Sequence, residues 1–248
     1  MRNKIKKLIR KFGYDISRIN KKYDIINFDE LIAEKISEKN PVILDVGANT
    51  GQSVKRFKKI FNDPIIHSFE PNRDAFDIMK KNFKSDNKVF CNNFALGDKD
   101  EEKNLNITAF SGKSSFYNVN LDTEWTKDRE YTTRIIDKKK VKISTLDNYV
   151  EQKKIDLISF LKIDTQLFED KVLEGSLRSL EKGKVKVILV EILFNDYYEK
   201  YFSFSDIEKF LIPNNFRMCG IDLMNNNIFK GSLFGANVYY FNKKFFKI

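Results

Sequence analysis

The sequence predicts an α/β protein with a doubly wound, mostly parallel sheet that has helices on both faces. The first reason is the apolar run at residues 42–46, which is typical of a strand buried on both faces and leads straight into a small-residue turn. The second is that similar runs recur at 65–69, 155–164 and 184–192, separated by stretches with helical periodicity. The 248 residues are enough for one large domain, and we expect one.

The composition predicts a soluble, folded protein, with 42% hydrophobic and 32% charged residues. No apolar run reaches the length of about 18 residues that a transmembrane helix needs, and the N-terminus has no signal-peptide core. Cys91 and Cys219 lack metal-ligand spacing, so we expect reduced thiols in a cytoplasmic protein. The net charge of +10 is compatible with nucleic acid, an anionic membrane or an acidic substrate, or with none of them, since lysine is spread along the whole chain.

Residues 1–40 precede the first strand and are expected to form two helices. Residues 1–12 predict a short basic amphipathic helix, with Ile5, Leu8 and Phe12 on its apolar face. One interpretation is peripheral docking to an anionic membrane at its inner face, and the other is a helix packed on the main domain. Residues 28–36 predict the second helix.

The turn after the first strand points to a cofactor. Gly47, Ala48 and Gly51 leave little side-chain bulk, so a ligand could approach the backbone amides at the start of the next helix. The dinucleotide pattern G-x-G-x-x-G is absent, and Asp45 at the mouth of the turn would repel a pyrophosphate. S-adenosylmethionine, which carries an ammonium and a sulfonium, fits this charge better. The alternative is a plain strand-to-helix turn with a capping Asp45.

Two further positions would complete a nucleoside pocket. Glu70 ends the second strand, where a carboxylate can accept both hydroxyls of an adenosine ribose; otherwise it caps the helix that follows Pro71. Asn93 follows the third strand, where its amide could read the edge of adenine, although an ordinary turn explains it equally.

Residues 101–140 are charged and polar, and they predict a hairpin followed by a long mobile loop that covers an active site or is disordered. We assign Ser114 and Ser115 of this segment to the acceptor side, with Gln166 and Glu191 from later strand ends. The aromatic residues at 194–204 indicate either the floor of a carbohydrate pocket or ordinary core.

Asp164 ends the fourth main strand, beside the point where the sheet reverses direction, so it should project into the same crevice as Asp45. Lys162 lies on the same face two residues earlier and would need a carboxylate partner; the pair could be purely structural. His67 lies in an apolar run and is expected to be packed, so no imidazole base and no metal site are expected.

These motifs together resemble the FkbM family of S-adenosylmethionine-dependent methyltransferases. The resemblance rests on D-V-G-A-N-T-G at 45–51, F-E-P at 69–71, N-F-A-L-G at 93–97, I-S-T-L-D at 143–147 and L-K-I-D-T-Q at 161–166 with V-L-E-G at 172–175. It implies the class I (Rossmann-like) methyltransferase fold over residues 41–248, with seven strands, an antiparallel last strand and an insertion at 102–140. It also implies O-methylation, often of sugar hydroxyls in polysaccharide or natural-product pathways.

Carried over by motif, the resemblance implies S-adenosylmethionine ligands among Asp45, Gly47, Ala48, Asn49, Gly51, Glu70, Pro71, Asn93 and Ala95. It places Asp164 and Glu169 on the acceptor side. The family has glycine after Gln166, where this chain has Leu167, so the shape of the acceptor loop is open.

Without a usable histidine, the proton of an acceptor hydroxyl must go to a carboxylate, a lysine or solvent. We expect Asp164 as base or orienting group, supported by Lys162 or Glu169, and a sugar or glycan acceptor that is free or lipid-linked. An RNA or other nucleic-acid methyltransferase is one alternative, since it would account for the net charge of +10. A nucleic-acid partner is nevertheless not expected, because the Asn/Asp-Pro-Pro-aromatic motif of base methylation is absent at Asp164. The remaining alternatives are a nicotinamide dehydrogenase, disfavoured by the glycine spacing, and a non-enzymatic adenosylmethionine-binding protein at the membrane.

Overall fold

The structure, a computed structural model, describes Lys11 and residues 27–127, 130–194, 196–201, 203–224 and 234–247, without the side chains of residues 124 and 125. The predicted helix at 1–12 therefore lies outside the described residues, apart from Lys11. Among the described residues, no helix is both long enough and apolar enough to cross a bilayer.

Ten strands of the described chain form two sheets. In chain order they are β1 (Val42–Val46), β2 (Ile65–Phe69), β3 (Val89–Asn92), β4 (Ala95–Leu96), β5 (Glu101–Thr108), β6 (Ile135–Ser144), β7 (Ile158–Ile163), β8 (Val185–Leu193), β9 (Phe216–Met224) and β10 (Gly235–Asn242). The main sheet has seven strands in the order β3-β2-β1-β7-β8-β10-β9, and β4, β6 and β5 form a small second sheet. In the main sheet only β10 is antiparallel to its neighbours, so the predicted fold class is confirmed.

Helices connect these strands. They are α1 (Phe28–Lys35), α2 (Gln52–Ile60), α3 (Arg73–Asn82), α4 (Glu124–Lys127), α5 (Glu130–Thr133), α6 (Leu146–Gln152), α7 (Glu169–Glu174), α8 (Leu177–Glu181) and α9 (Phe204–Leu211). Apolar side chains cover both faces of the main sheet: Ile43 and Phe160 pack with Phe57 of α2 on one face, and Leu44 and Leu161 pack with Val172 of α7 on the other. This two-sided burial explains why the central strands read as continuous apolar runs.

Two elements differ from the sequence prediction. The helix expected over 169–180 is broken at Gly175. The backbone passes so close to Gly97 at this point that a Cβ on residue 175 would lie 1.9 Å from the carbonyl oxygen of Gly97. The strand expected at 141–143 is ten residues long and pairs antiparallel with β5. The segment 101–140 is therefore a hairpin whose connection holds a short 3₁₀ turn, Ser111–Lys113, and two short helices.

Candidate active site

A cavity lies at the edge of the main sheet where the parallel strands end. The empty space between its walls measures about 650 Å³, counting the part open to solvent. The predicted site residues on its wall are Gly47, Asn49, Glu70, Pro71, Ala95, Ser114, Asp164 and Gln166. The remaining predicted residues lie behind the wall or beside it, and most of them hold the wall in place.

Gly47 permits the closest approach between two strand ends. Its φ is +81°, and a Cβ at this position would lie 1.8 Å from the carbonyl oxygen of Asp164. Only glycine fits such a position, because a side chain would be strained in φ and would collide with backbone. Gly47 thus brings the end of β1 against the end of β7.

Four amides of this turn, which were expected to be available to a ligand, donate hydrogen bonds within the protein instead. The amides of Gly47 and Ala48 donate to the carbonyl oxygen of Phe69, and the amide of Gly51 donates to that of Ala48. The amide of Asn49 donates to Glu70 Oε2 at 2.8 Å. These hydrogen bonds stabilise the turn, because a buried amide without a partner would cost free energy.

Asp45 also differs from the expectation, since it is not at the mouth of the turn. Its side chain is fully buried, accepts a hydrogen bond from Ser53 Oγ at 2.5 Å and lies 3.5 Å from Lys162 Nζ. A carboxylate in this place cannot touch a ligand in the cavity. Its role is to hold the ammonium of Lys162 beneath the wall.

Glu70 lies on the wall, and each carboxylate oxygen accepts one backbone amide, from Asn49 and from Asn72, both at 2.8 Å. Each oxygen keeps a lone pair for a ligand hydroxyl. Burial raises the pKa of Glu70 to about 7, against the effect of these two amides. The helix that follows is capped by Asn72 and not by Glu70.

Three predicted cofactor residues shape this part of the site without lining the cavity. Asn93 Nδ2 donates to the carbonyl oxygens of Glu70 and Pro71, at 2.9 and 3.2 Å, so it holds the loop after β2. Ala48 packs under α3 with Met79. Gly51 has a φ of +90°, and a Cβ there would meet the ring of Phe83 at 2.5 Å.

The acceptor-side residues form one connected polar cluster. Lys162 Nζ lies 3.1 Å from Asp164 Oδ2 and donates to the carbonyl oxygen of Gly47 at 3.1 Å. Gln166 Nε2 donates to Asp164 Oδ1 at 3.2 Å and to Glu191 Oε2 at 2.7 Å. The predicted pairing of Lys162 with Asp164 is therefore present, with Asp45 as a second partner.

The charges in this cluster follow from burial and from the single lysine. Burial alone would raise the pKa of Asp164, but the Lys162 ammonium outweighs it and the pKa lies below its usual range. Burial and the Asp164 carboxylate raise the pKa of Glu191 well above its usual range. Asp164 and Asp45 raise the pKa of Lys162 despite its burial. Asp164 is thus an anionic group on the wall of the cavity.

Glu169 is buried behind the loop after β7 and does not reach the cavity. Its Oε1 accepts the amide of Thr165 at 2.6 Å, and its Oε2 has no hydrogen-bond partner. Burial raises the pKa of Glu169 to about 7. In the same loop Gln166 and Leu167 have φ values of +55° and +74°. Leu167 therefore adopts the left-handed conformation that glycine takes most easily.

The segment between β5 and α4 lines another side of the cavity. Ser111 Oγ donates to Asn49 Oδ1 at 3.0 Å, and Ser115 Oγ, buried behind the wall, donates to the carbonyl oxygen of Gln166 at 2.6 Å. Ser111, Gly112, Phe116 and Phe168 line the cavity but were not among the predicted site residues. The run of small residues at 111–115 is the only sequence signal that could have indicated them.

Two residues of the aromatic segment are core, since Tyr197 and Tyr198 are each 1% exposed. Phe194 and Phe204 pack against this core half-buried, Tyr201 is 56% exposed, and Phe202 lies outside the described residues. Tyr198 nevertheless reaches the site, because its hydroxyl lies 2.8 Å from Gln166 Oε1. His67 is buried, stacks on Phe90 and hydrogen-bonds to the hydroxyl of Tyr149, which confirms the prediction of a packed histidine. Burial lowers the pKa of His67 to about 4.

These residues fit S-adenosylmethionine by their chemistry. Glu70 offers two lone pairs for a diol, and Phe69, Pro71 and Leu96 provide apolar wall for a heterocycle. Asp164 offers a negative charge where a cationic group could lie. None of the described residues that line the cavity is a lysine or an arginine, which a phosphate group would require.

Comparison with known proteins gives a match to one family model. The model of the methyltransferase FkbM domain matches residues 45–220. No curated protein matches the sequence. Among solved structures, an rRNA methylase from Streptococcus thermophilus is similar with a TM-score of 0.50 at 9% identity, over 88% of this chain and 99% of that one.

Two other solved structures show weaker similarity. A precorrin-6y C5,15-methyltransferase from Geobacter metallireducens has a TM-score of 0.45 at 10% identity, over 86% of this chain and 87% of that one. Fibrillarin from Aeropyrum pernix, in complex with S-adenosyl-L-methionine, has a TM-score of 0.45 at 9% identity, over 83% and 68%. At these identities the similarity concerns the fold alone. The match to the family model covers most of the chain, so the chain belongs to the FkbM methyltransferase family and is an S-adenosylmethionine-dependent methyltransferase.

Proposed function

We propose that this chain methylates a hydroxyl group of a sugar or glycan. The observation that supports this best is Asp164, an ionised carboxylate on the cavity wall that Lys162 and Gln166 hold in a fixed position. A hydroxyl is the acceptor that such a group orients most directly, because it can donate its proton to the carboxylate.

The cofactor would be held by Glu70 through its ribose hydroxyls and by the apolar wall of Phe69, Pro71, Ala95 and Leu96. When bound, it supplies an electrophilic methyl group on a sulfonium. The chain must then align the acceptor and remove one proton. Asp164 accepts the hydrogen bond of the acceptor hydroxyl and takes up its proton as the new C–O bond forms and the C–S bond breaks. The neighbouring ammonium keeps Asp164 a weak base, so orientation is its larger contribution.

A carbohydrate suits the rest of the wall. Phe116 and Phe168 lie with ring centroids 4.5 Å apart and can pack against the C–H face of a sugar ring. Ser114 and Gln166 add polar atoms for its other hydroxyls. Cys91 and Cys219 are both free thiols, which agrees with a cytoplasmic place of reaction in polysaccharide assembly.

The decisive experiment incubates the protein with methyl-labelled S-adenosylmethionine and separated glycan, RNA and small-molecule fractions of the cell. Label in a glycan fraction, stable to base treatment as an ether is, supports the proposal; label in RNA contradicts it. Asp164→Asn should lower turnover at saturating S-adenosylmethionine at least about tenfold, because it removes the charge but keeps the shape. Asp98→Asn is the matched control, since Asp98 pairs with Lys171 away from the wall.

The cofactor assignment has its own test. Glu70→Gln keeps the two backbone hydrogen bonds to the side-chain oxygen only in part, and it removes acceptor lone pairs that the ribose needs. Calorimetry should show S-adenosylhomocysteine binding weakened by about tenfold or more. Unchanged affinity would remove Glu70 from the pocket.

A further inference from the structure

The edge of the main sheet opposite the cavity has an unusual charge. The parallel strands β1, β2, β3, β7 and β8 begin there, β9 begins there, and β10 ends there. We call this the amino edge and define it by residues 36–41, 58–64, 80–88, 151–157, 181–186, 212–217 and 243–247. These segments carry 16 Lys or Arg and 6 Asp or Glu, a net charge of +10.

The remainder of residues 27–248 has the opposite sign. Residues 27–248 outside the amino edge carry 20 basic and 27 acidic residues, a net charge of −7. The buried or half-buried carboxylates of the cavity, such as Glu70 and Asp164, lie at the opposite edge. Within residues 27–248, lysine is thus spread along the sequence but concentrated at the amino edge, and the remaining residues are net negative.

Contacts across the amino edge show that its segments form one surface. Lys88 Nζ lies 2.9 Å from Asn40 Oδ1 and 2.5 Å from Asp63 Oδ2, and Lys186 pairs with Glu38 at 2.8 Å. The amide of Lys243 donates to the carbonyl oxygen of Asn215 at 2.9 Å. Segments distant in sequence are therefore in direct contact.

Most lysines of the amino edge have no carboxylate partner. Lys58, Lys88 and Lys186 pair with Asp86, Asp63 and Glu38. Eleven others are exposed and form no ion pair with another described residue. They include Lys39, Lys59, Lys84, Lys154, Lys182 and Lys243. An array of this size repels itself and is expected to attract an extended anionic partner.

We propose that the amino edge docks on an anionic membrane surface. The lysines are point charges spread over a whole side of the molecule, which matches the diffuse charge of lipid headgroups. Groups that read nucleic acid are few: Arg217 Nη1 donates to the carbonyl oxygen of Phe216, and Phe245 and Phe246 are half-buried. Docked in this way, the cavity faces the aqueous side, so the acceptor enters from solution. This inference goes beyond the proposed function and does not depend on it.

The test is sedimentation of the full chain with phosphatidylcholine vesicles that contain one-third phosphatidylglycerol, compared with phosphatidylcholine alone. We expect binding to the anionic vesicles that falls steeply as salt rises to about 0.5 M, where the Debye length drops to a few ångströms. The amino-edge variant replaces Lys84, Lys154, Lys182 and Lys243 with Gln and should lose at least about tenfold in affinity. The control variant replaces Lys99, Lys138, Lys142 and Lys209, which are exposed elsewhere, and loses the same charge.

Three outcomes would overturn the proposal. The first is absence of binding to anionic vesicles at low salt. The second is an equal loss in the two variants, which would assign the binding to net charge or to residues 1–26. The third is tighter binding of transfer RNA than of vesicles, lost in the amino-edge variant, which would make the edge a nucleic-acid surface. S-adenosylhomocysteine affinity should be unchanged in both variants and reports that they are folded.

Discussion

The hydroxyl of Tyr198 lies 2.8 Å from the side-chain carbonyl oxygen of Gln166, whose amide nitrogen faces the carboxyl groups of Asp164 and Glu191. With its oxygen turned to Tyr198, Gln166 directs its Nε2 toward Asp164 and Glu191. The same hydroxyl lies 3.0 Å from the carbonyl oxygen of Lys113, in the segment that forms one wall of the cavity. A core tyrosine thereby positions the groups that face the acceptor.

Tyr198→Phe is expected to reduce methyl transfer about tenfold while cofactor affinity changes less than about threefold, because Gln166 loses the partner that sets its orientation. The measurement is kcat and KM across pH on the glycan fraction that takes up methyl label, with S-adenosylhomocysteine affinity by calorimetry. A positioning role should also shift the pH profile, since the hydrogen bond to Asp164 weakens. Tyr149→Phe, which removes a buried hydroxyl bonded to His67, should leave both unchanged. Equal effects of the two variants would contradict this role.

Leu167 gives a test of backbone strain. It is 2% exposed with a φ of +74°, so truncation removes buried apolar surface in any variant, but only a residue with a Cβ is strained. Leu167→Gly should therefore be more stable than Leu167→Ala by about 1 kcal/mol. At Leu173, buried within α7, the order should reverse by a similar amount. Denaturant unfolding of the Gly and Ala variants at both positions measures the two differences. The same order at both positions would contradict the backbone strain assigned to Leu167.

Gly47→Ala should lower the free energy of unfolding by more than about 2 kcal/mol and abolish binding of S-adenosylhomocysteine. The added Cβ would lie 1.8 Å from the carbonyl oxygen of Asp164, so β1 and β7 would have to separate at the cavity. Gly112→Ala is the control for the unfolding measurement, because its Cβ would meet only side chains, at 3.1 Å. Thermal unfolding and calorimetry decide the point; a stable, binding Gly47→Ala protein would show that the strand ends can move apart.

Glu169 predicts a pH dependence of stability. Burial raises its pKa from 4.5 to about 7, so between these values the folded chain holds a proton that the unfolded chain has lost. This carboxyl therefore makes the protein less stable as pH rises from 4.5 to 7. Glu169→Gln removes the effect, and its stability relative to wild type should rise by about 2–3 kcal/mol between pH 5 and pH 8.

Glu70 has a raised pKa in the same range, but it is present in both the wild type and Glu169→Gln, so its contribution cancels in the difference between their stabilities. Denaturant unfolding at several pH values is the measurement. Glu151→Gln, at a side chain that is 75% exposed, is the control. A flat difference for Glu169→Gln would mean that this carboxyl is solvated or paired in solution.

The sequence by itself determined the fold class, the strand that carries the turn, and the acidic strand ends at Glu70 and Asp164. These follow from short-range patterns: apolar runs with a fixed period, a run of small residues, and the rule that parallel strands end at one edge. The motifs were also sufficient to indicate the family and, through it, the cofactor.

Only the tertiary structure decided what each polar group does. Asp45 and Glu169 were expected in the site but are buried behind it, because the chain must neutralise Lys162 and hold the amide of Thr165. Ser111 and Tyr198 reach the site from segments distant in sequence. The concentration of basic residues at the amino edge is visible only in the fold, because the segments that form this edge are distant in sequence. Hydrogen bonds and charges depend on distances between such segments, and no local pattern contains those distances.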